Sequence, residues 1–178
     1  YSQTISRVRD NYDYEKVLLL ELIRVYDLMR DVSAEGWVID LHALKYDYHN
    51  LKVFVKERYL HEDLSRLYIP LGTDGYKQLR QRLEEGGSPG EDQFARALKA
   101  AESSFEEEHE PQAIDLTLDM CYFSHLFGLA EKCSVELFID YVRMMIDFAN
   151  VLSFIRMQRQ NKSIAFFEKA ILPDGTVS

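Results

Sequence analysis

The chain has 178 residues, 21 Lys+Arg against 30 Asp+Glu for a formal net charge of −9, and 47% hydrophobic residues. That apolar share, with 11 Tyr, 10 Phe and one Trp, excludes a disordered, collagen-like or low-complexity chain and leaves material for a real core. Phosphate contacts need a basic face, so the acidic balance excludes a general nucleic-acid binder and gives no reason for adhesion to anionic lipid.

Six of the eight Gly and all four Pro fall at 70–75, 86–90, 111 and 173–175. Between these breakers the chain is rich in Leu, Glu, Lys, Arg, Gln and Ala, with apolar spacing near about 3.6 rather than about 2. An all-α chain is predicted. Helices are expected over 13–31, 38–60, 73–85, 91–108, 114–130 and 134–160, with a short last one over 162–171. Thr73 and Asp74 are placed to cap the third, and Gly90-Glu91-Asp92 brings negative charge to the start of the fourth. Ser134, with Glu136 in the first turn, reads as the N-cap of the sixth. Residues 84–110 hold nine acidic side chains against Arg96 and Lys99, a net of −7 that leaves −2 for everything else. This stretch is read as a solvated helix face and linker. The expected organisation is a first helical unit over 1–83, an acidic linker and helix over 84–112, and a second helical unit over 113–178.

Cys121 and Cys133 form no CxxC or CxxH pairing and lie among apolar residues, which suits free thiols in a reduced, cytosolic setting. No run approaches about 18 apolar residues, so no transmembrane segment is expected. The start, Tyr1-Ser2-Gln3-Thr4, lacks the basic-then-apolar order of a signal peptide and has no initiator Met, as expected of part of a longer protein.

The most informative pattern is an internal repeat at an offset of 100. Asp40, Asp47, Asn50 and Phe54 meet Asp140, Asp147, Asn150 and Phe154, and Lys56 meets Arg156. The apolar stripe Leu41, Leu44, Tyr48, Leu51 and Val55 falls on Tyr141, Met144, Phe148, Val151 and Ile155. Each helix then runs on to a Pro-x-Gly turn, at Pro70-Leu71-Gly72 and at Pro173-Asp174-Gly175, now offset by 103. An apolar stripe alone is common to amphipathic helices; the shared Asp, Asn, Phe, basic residue and turn point to a duplicated helical unit. The 3-4-3-4 spacing of the stripe predicts close packing on neighbouring helices in both units. Asp and Asn one turn apart must find partners once buried, so they are expected to set helix register, with similar stability losses on removing Asp47 or Asp147. Asp47, Asn50, Phe54, Lys56, Pro70 and Gly72, with Asp147, Asn150, Phe154, Arg156, Pro173 and Gly175, are thus read as a structural packing motif.

Signatures of chemistry are absent. No GxxxxGK[ST], GxGxxG, HExxH or GxSxG sequence occurs, and His49 has no counterpart at Ala149 that would make a repeated metal site. His42, His61, His109 and His125 read as surface or core-edge residues, and Asp115 with Asp119 as acids near a helix start. No catalytic residue, metal or cofactor is expected.

The run Lys45-Tyr46-Asp47-Tyr48-His49-Asn50-Leu51-Lys52, with Lys56 behind it and Tyr68-Ile69-Pro70-Leu71-Gly72 after it, resembles the C subunits of the V-type/A-type ATP synthases, relatives of the vacuolar ATPase d subunits. The second unit is similar to the same family through Ala113–Asp119, Tyr122-Phe123, Ile146-Asp147-Phe148-Ala149-Asn150-Val151 and Ile171-Leu172-Pro173-Asp174-Gly175. Ser153 departs from the family pattern, with Arg156 taking the place of an earlier Arg; the arginine-rich first helix and a third unit are missing. The resemblance implies a piece of a funnel of three helical units. It also implies a non-catalytic part of the central stalk at the cytoplasmic face of the membrane, whose partners are the membrane ion-carrying ring and the central shaft, coupling ATP turnover to proton or sodium transport. A generic helical-repeat adaptor for an unrelated protein is the alternative, and an acid/base enzyme built on Asp47 or Asp147 a third reading.

Overall fold

The computed structural model describes residues 11–73, 76–84, 92–161 and 163–176. Among these residues the fold is all-α: α1 (Asn11–Val32), α2 (Trp37–Leu60), a 3-10 turn (Ser65–Leu67), α3 (Tyr76–Glu84), α4 (Gln93–Glu108), α5 (Pro111–Cys133), α6 (Glu136–Arg159) and α7 (Ile164–Ala170). None of these helices is long and apolar enough to cross a membrane.

The centre is α2. It buries residues on nearly every side, from Ile39 and Leu41 to Phe54 and Val55, because α1, α3, α4 and α5 all pack against it. Its solvent-facing strip is narrow and carries the polar residues His42, Lys45 and Arg58. One core cluster joins Leu44, Tyr48, Leu51 and Val55 of α2 to Leu79 of α3, Leu98 of α4, Ile114, Leu118 and Leu126 of α5, and Ile146 of α6. A smaller cluster of Tyr26, Ile39, Ala43 and Leu71 ties α1 to the start of α2 and the turn after it.

The stretch 84–112, expected as acidic linker and helix, contains α4, which buries Phe94, Ala95, Ala97, Leu98 and Ala101 and packs on α5 and α2. Two of its acids face α2: Glu102 pairs with Arg58 at 2.6 Å and Glu106 accepts from Tyr59 Oη, while Glu107 and Glu108 are exposed. Asp92 caps α4, accepting from the Phe94 N–H at 2.9 Å; Gly90 and Glu91 lie outside the described residues. Pro111 does not break a helix but opens α5 at its first position, where the missing N–H costs no bond. Ser134 is not an N-cap. It stands in the left-handed region at φ +54 as the C-cap of α5, its N–H donating to Glu131 O, and Val135 precedes α6 instead. Thr73, expected at the start of α3, gives its N–H and its hydroxyl proton to Asp47 of α2; Asp74 lies outside the described residues.

The duplication extends further than the sequence pattern suggested. α5 ends 101 residues after α1 and α6 ends 99 after α2, so a helix pair followed by a turn recurs at nearly the same offset. The side chains of α1 and α5 hide the relation: Leu18/Leu118, Glu15/Asp115 and Asp31/Glu131 are the main correspondences.

Candidate functional site

In unit one, α2 presents Asp47 and Asn50 to the returning segment 69–73, and both are buried, each 1% exposed. Ile69 precedes Pro70, and a residue before proline is held extended. In extended backbone the N–H and C=O of one residue point the same way, so one carboxamide can take both. Asn50 does this: its Nδ2 donates to Ile69 O at 2.8 Å and its Oδ1 accepts from Ile69 N at 2.9 Å. Aspartate could not, having no donor when ionised. One turn back, Asp47 Oδ2 accepts from Thr73 N at 2.9 Å and from Thr73 Oγ1 at 2.8 Å. Gly72 makes this approach feasible: a Cβ there would run into Asp47 Oδ1, and its φ of +155 disfavours side chains. Arg30 of α1 closes the cluster, donating to Gly72 O at 2.7 Å with Asp40 at 3.6 Å.

Unit two repeats the clamp. Asn150 Nδ2 donates to Leu172 O at 3.0 Å, and its Oδ1 accepts from Leu172 N at 2.8 Å. Leu172 likewise precedes a proline, Pro173. Asp147 Oδ1 accepts from Thr176 N at 2.8 Å and Oδ2 from Thr176 Oγ1, while a Cβ on Gly175 would strike Asp147 Oδ1. The turns differ in one respect. Asp174 takes the positive φ (+68) in unit two, which Asp tolerates, whereas Leu71 at the same place is buried and Gly72 carries the unusual backbone.

The remaining predicted motif residues do not join the clamps. Pro70 and Pro173 are exposed and act through the residue before them. Phe54, buried, packs beneath Arg58, whose guanidinium carbon lies 5.8 Å from the ring centre. Phe154 is 44% exposed and meets Phe167 of α7 edge-on. Lys56 reaches across to α5, with Nζ 2.7 and 2.8 Å from the two oxygens of Asp115, while Arg156 is exposed with no ion-pair partner among the described residues. The apolar stripe also divides. Leu44, Tyr48, Leu51 and Val55 are buried, but their counterparts Met144, Phe148, Val151 and Ile155 face solvent, because α2 has α5 beside it and α6 has no equivalent neighbour among the described residues.

Three partners escaped the sequence pattern. Thr73 and Thr176 stood in the quoted turns but were assigned no bond to the acids. Glu57 accepts from Leu64 N at 3.0 Å and Tyr68 Oη at 2.6 Å, tying down the 3-10 turn, and its repeat position is Met157, so no duplication marked it. His125 is not a bystander. Its Nδ1 lies 3.2 Å from Tyr48 Oη at the α2/α5 junction, and burial first, then Lys132 and Arg96, lowers its pKa to about 4. Burial likewise pushes the Tyr48 phenol well up. The pair is therefore neutral at pH 7, and we assign the phenol as donor and Nδ1 as acceptor. His49 holds the 3-10 turn through Leu67 O at 2.9 Å. Burial raises the Cys121 thiol, so it is not activated as a nucleophile. The geometry thus pins helices to their return segments.

A family model described as "ATP synthase (C/AC39) subunit" matches residues 1–178. The C subunit of the V-type sodium ATPase of Enterococcus hirae is 23% identical over 166 residues, covering 93% of this chain and 51% of that protein. The chain spans about half the length of the curated relative it matches. No solved structure matches.

Proposed function

The chain belongs to the ATP synthase (C/AC39) subunit family, and from that premise we propose that it serves as a non-catalytic coupling part of a rotary V-type/A-type ATPase, between the membrane ion-carrying ring and the central shaft. The observation that carries this reading is the family match over residues 1–178. The relative's name attaches to a sodium ATPase; for this chain the proposal is ion transport by the complex, without a choice between sodium and protons. A coupling part must pass torque without yielding. Two features suit that demand: a central helix enclosed by its neighbours, and two clamps in which backbone donors and acceptors of the return segments are satisfied by Asp and Asn. Each such bond contributes about 1 kcal/mol, and about 1.5–3 kcal/mol where a carboxylate accepts. The working position we infer is peripheral, at the cytoplasmic face of the membrane.

The test is capture by purified ring and shaft proteins of the same complex. Binding to both is expected. Failure to bind either would overturn the coupling role and leave a helical-repeat adaptor for an unrelated protein.

A further inference from the structure

The two return turns differ in one residue: unit one reads Pro70-Leu71-Gly72-Thr73 and unit two Pro173-Asp174-Gly175-Thr176. Leu71 is buried in the Tyr26 cluster, whereas Asp174 is exposed and stands in the left-handed region at φ +68. In any aspartate, bonding the side-chain carboxyl carbon to the amide nitrogen of the next residue closes a five-membered ring. Two things ordinarily oppose that closure: the next residue's Cβ crowds the nitrogen, and a helix holds its N–H in a hydrogen bond. Every other described Asp is followed by Leu, Val, Tyr, Phe, Met or Gln, and all but Asp63 and Asp92 lie in helices. Those two have their carboxylates engaged by Ser65 N and Phe94 N. At Asp174 neither obstacle is present. Gly175 has no Cβ, and neither Asp174 nor Gly175 makes a hydrogen bond or ion pair among the described residues. Rotation about the Asp174 Cα–C bond, which closure requires, is thus untied.

We propose that Asp174 converts spontaneously to isoaspartate through a cyclic imide with Gly175, and that the conversion releases Thr176 from Asp147. The Gly175 amide nitrogen gives its proton to water and attacks Asp174 Cγ. The carboxyl, in its acid form, loses its hydroxyl, which takes up a proton and departs as water, leaving the five-membered imide. Water then adds to one of the two imide carbonyls. Opening on the Cγ side restores aspartate. Opening on the backbone side leaves the chain running through Cβ and Cγ, with the former backbone carbonyl as a free carboxylate. One water leaves and one returns, so the reaction needs no oxidant, reductant or co-reactant beyond water.

The product does not fit the clamp. Asn150 fixes Leu172 at both its N–H and its C=O, and Asp147 fixes Thr176, so the span between the two anchors is set. Isoaspartate adds one carbon to that span. Gly175 has no slack to absorb it, since even a Cβ there would strike Asp147 Oδ1. The Thr176 bonds, at the exposed end, give way, while the buried Asn150 pair holds. Unit one, with Leu71 in place of Asp174, keeps its clamp. The proposal stands whether or not the coupling role does.

Ageing the purified protein for weeks at neutral pH and physiological temperature tests this, with isoaspartate located by electron-transfer fragmentation of the tryptic peptide that follows Lys169. Isoaspartate at 174 should exceed several-fold that at any other described Asp. The other Asp-Gly pair, Asp74-Gly75, lies outside the described residues and falls in a separate peptide ending at Lys77. Asp174→Asn, which the left-handed backbone accommodates, should reach the same product several-fold faster by losing ammonia from the same ring. Asp174→Glu, whose ring would have one more member, should abolish it. In the converted fraction, hydrogen exchange at the Thr176 amide should rise several-fold, with Thr73 and Leu172 unchanged. Isoaspartate at 174 no higher than at the helical Asp residues would overturn the proposal. So would a converted fraction in which the Thr176 amide exchanges as before.

Discussion

The two clamps use the same residues and nearly the same bonds, yet they sit in different surroundings. Asp47 is buried under α1, with Arg30 of α1 donating to Gly72 O beside it. Asp147 is half-buried, and the position equivalent to Arg30 is Ala130. The neighbouring tie made by Glu57 in unit one is replaced by the buried Met157 in unit two. The difference shows that the hydrogen-bond pattern belongs to the repeat, whereas its energetic weight belongs to the context. A carboxylate that water can reach loses less when its partners are removed than one enclosed by protein.

The largest expected effect breaks the equality that the sequence pattern alone predicts. Asp47→Ala should cost about 3 kcal/mol, as two charge-assisted bonds vanish from an enclosed site, and Asp147→Ala about 1 kcal/mol. For a chain of this size that is a fall in Tm of about 10 °C against about 3 °C, read by calorimetry or thermal circular dichroism. Equal losses would mean that burial does not govern the clamp. Asn50→Asp and Asn150→Asp sharpen the point: both amides are buried and hold a peptide at both ends, so these two losses should be alike.

Much of this was legible in sequence because it rests on local chemistry. Gly and Pro mark the breaks near 70–75, 111 and 173–175, though the α5/α6 and α6/α7 breaks carry neither, and the clamp residues stood out because Asp, Asn, Pro and Gly recur at fixed spacing and do jobs other residues cannot. What was not legible depends on neighbours. Phe148 and Tyr48 look alike in the repeat, but one is exposed and the other enclosed, and the presence of α5 decides which. His125 gave no signal because its partner, Tyr48, is 77 residues away. Ser134 misled because serine serves well as an N-cap, while the turn between α5 and α6 needed a residue in the left-handed region. Thr73 was assigned to the nearest helix start; a distant acid claimed it instead.

The α2/α5 junction differs from the open α6 face in carrying a titratable group at its centre, and pH should separate them. His125 has its pKa lowered to about 4 from 6.5, mainly by burial, with Lys132 and Arg96 adding to the effect and Asp92 opposing it. Between those values the unfolded chain binds a proton that the folded chain does not, so stability falls as pH drops through that window and is full above it. Denaturant titrations at pH 7, 5.5 and 4.5 should show this decline. Its slope should shrink in His125→Gln, which keeps a polar partner for Tyr48 without the charge; an unchanged slope would assign the acid sensitivity to other groups.

The smallest effect concerns the basic residue shared by both repeats. Lys56 sits against Asp115 with its side chain a quarter exposed, while Arg156 stands in solvent with no acid in reach among the described residues. Lys56→Ala should therefore cost about 0.5–1 kcal/mol, falling as salt is raised, and Arg156→Ala close to nothing in the single chain. A double-mutant cycle with Asp115→Ala isolates the first term, which should largely disappear once the acid is gone. The shared cation is then one chemical feature in two states, satisfied at the α2/α5 junction and still open on α6.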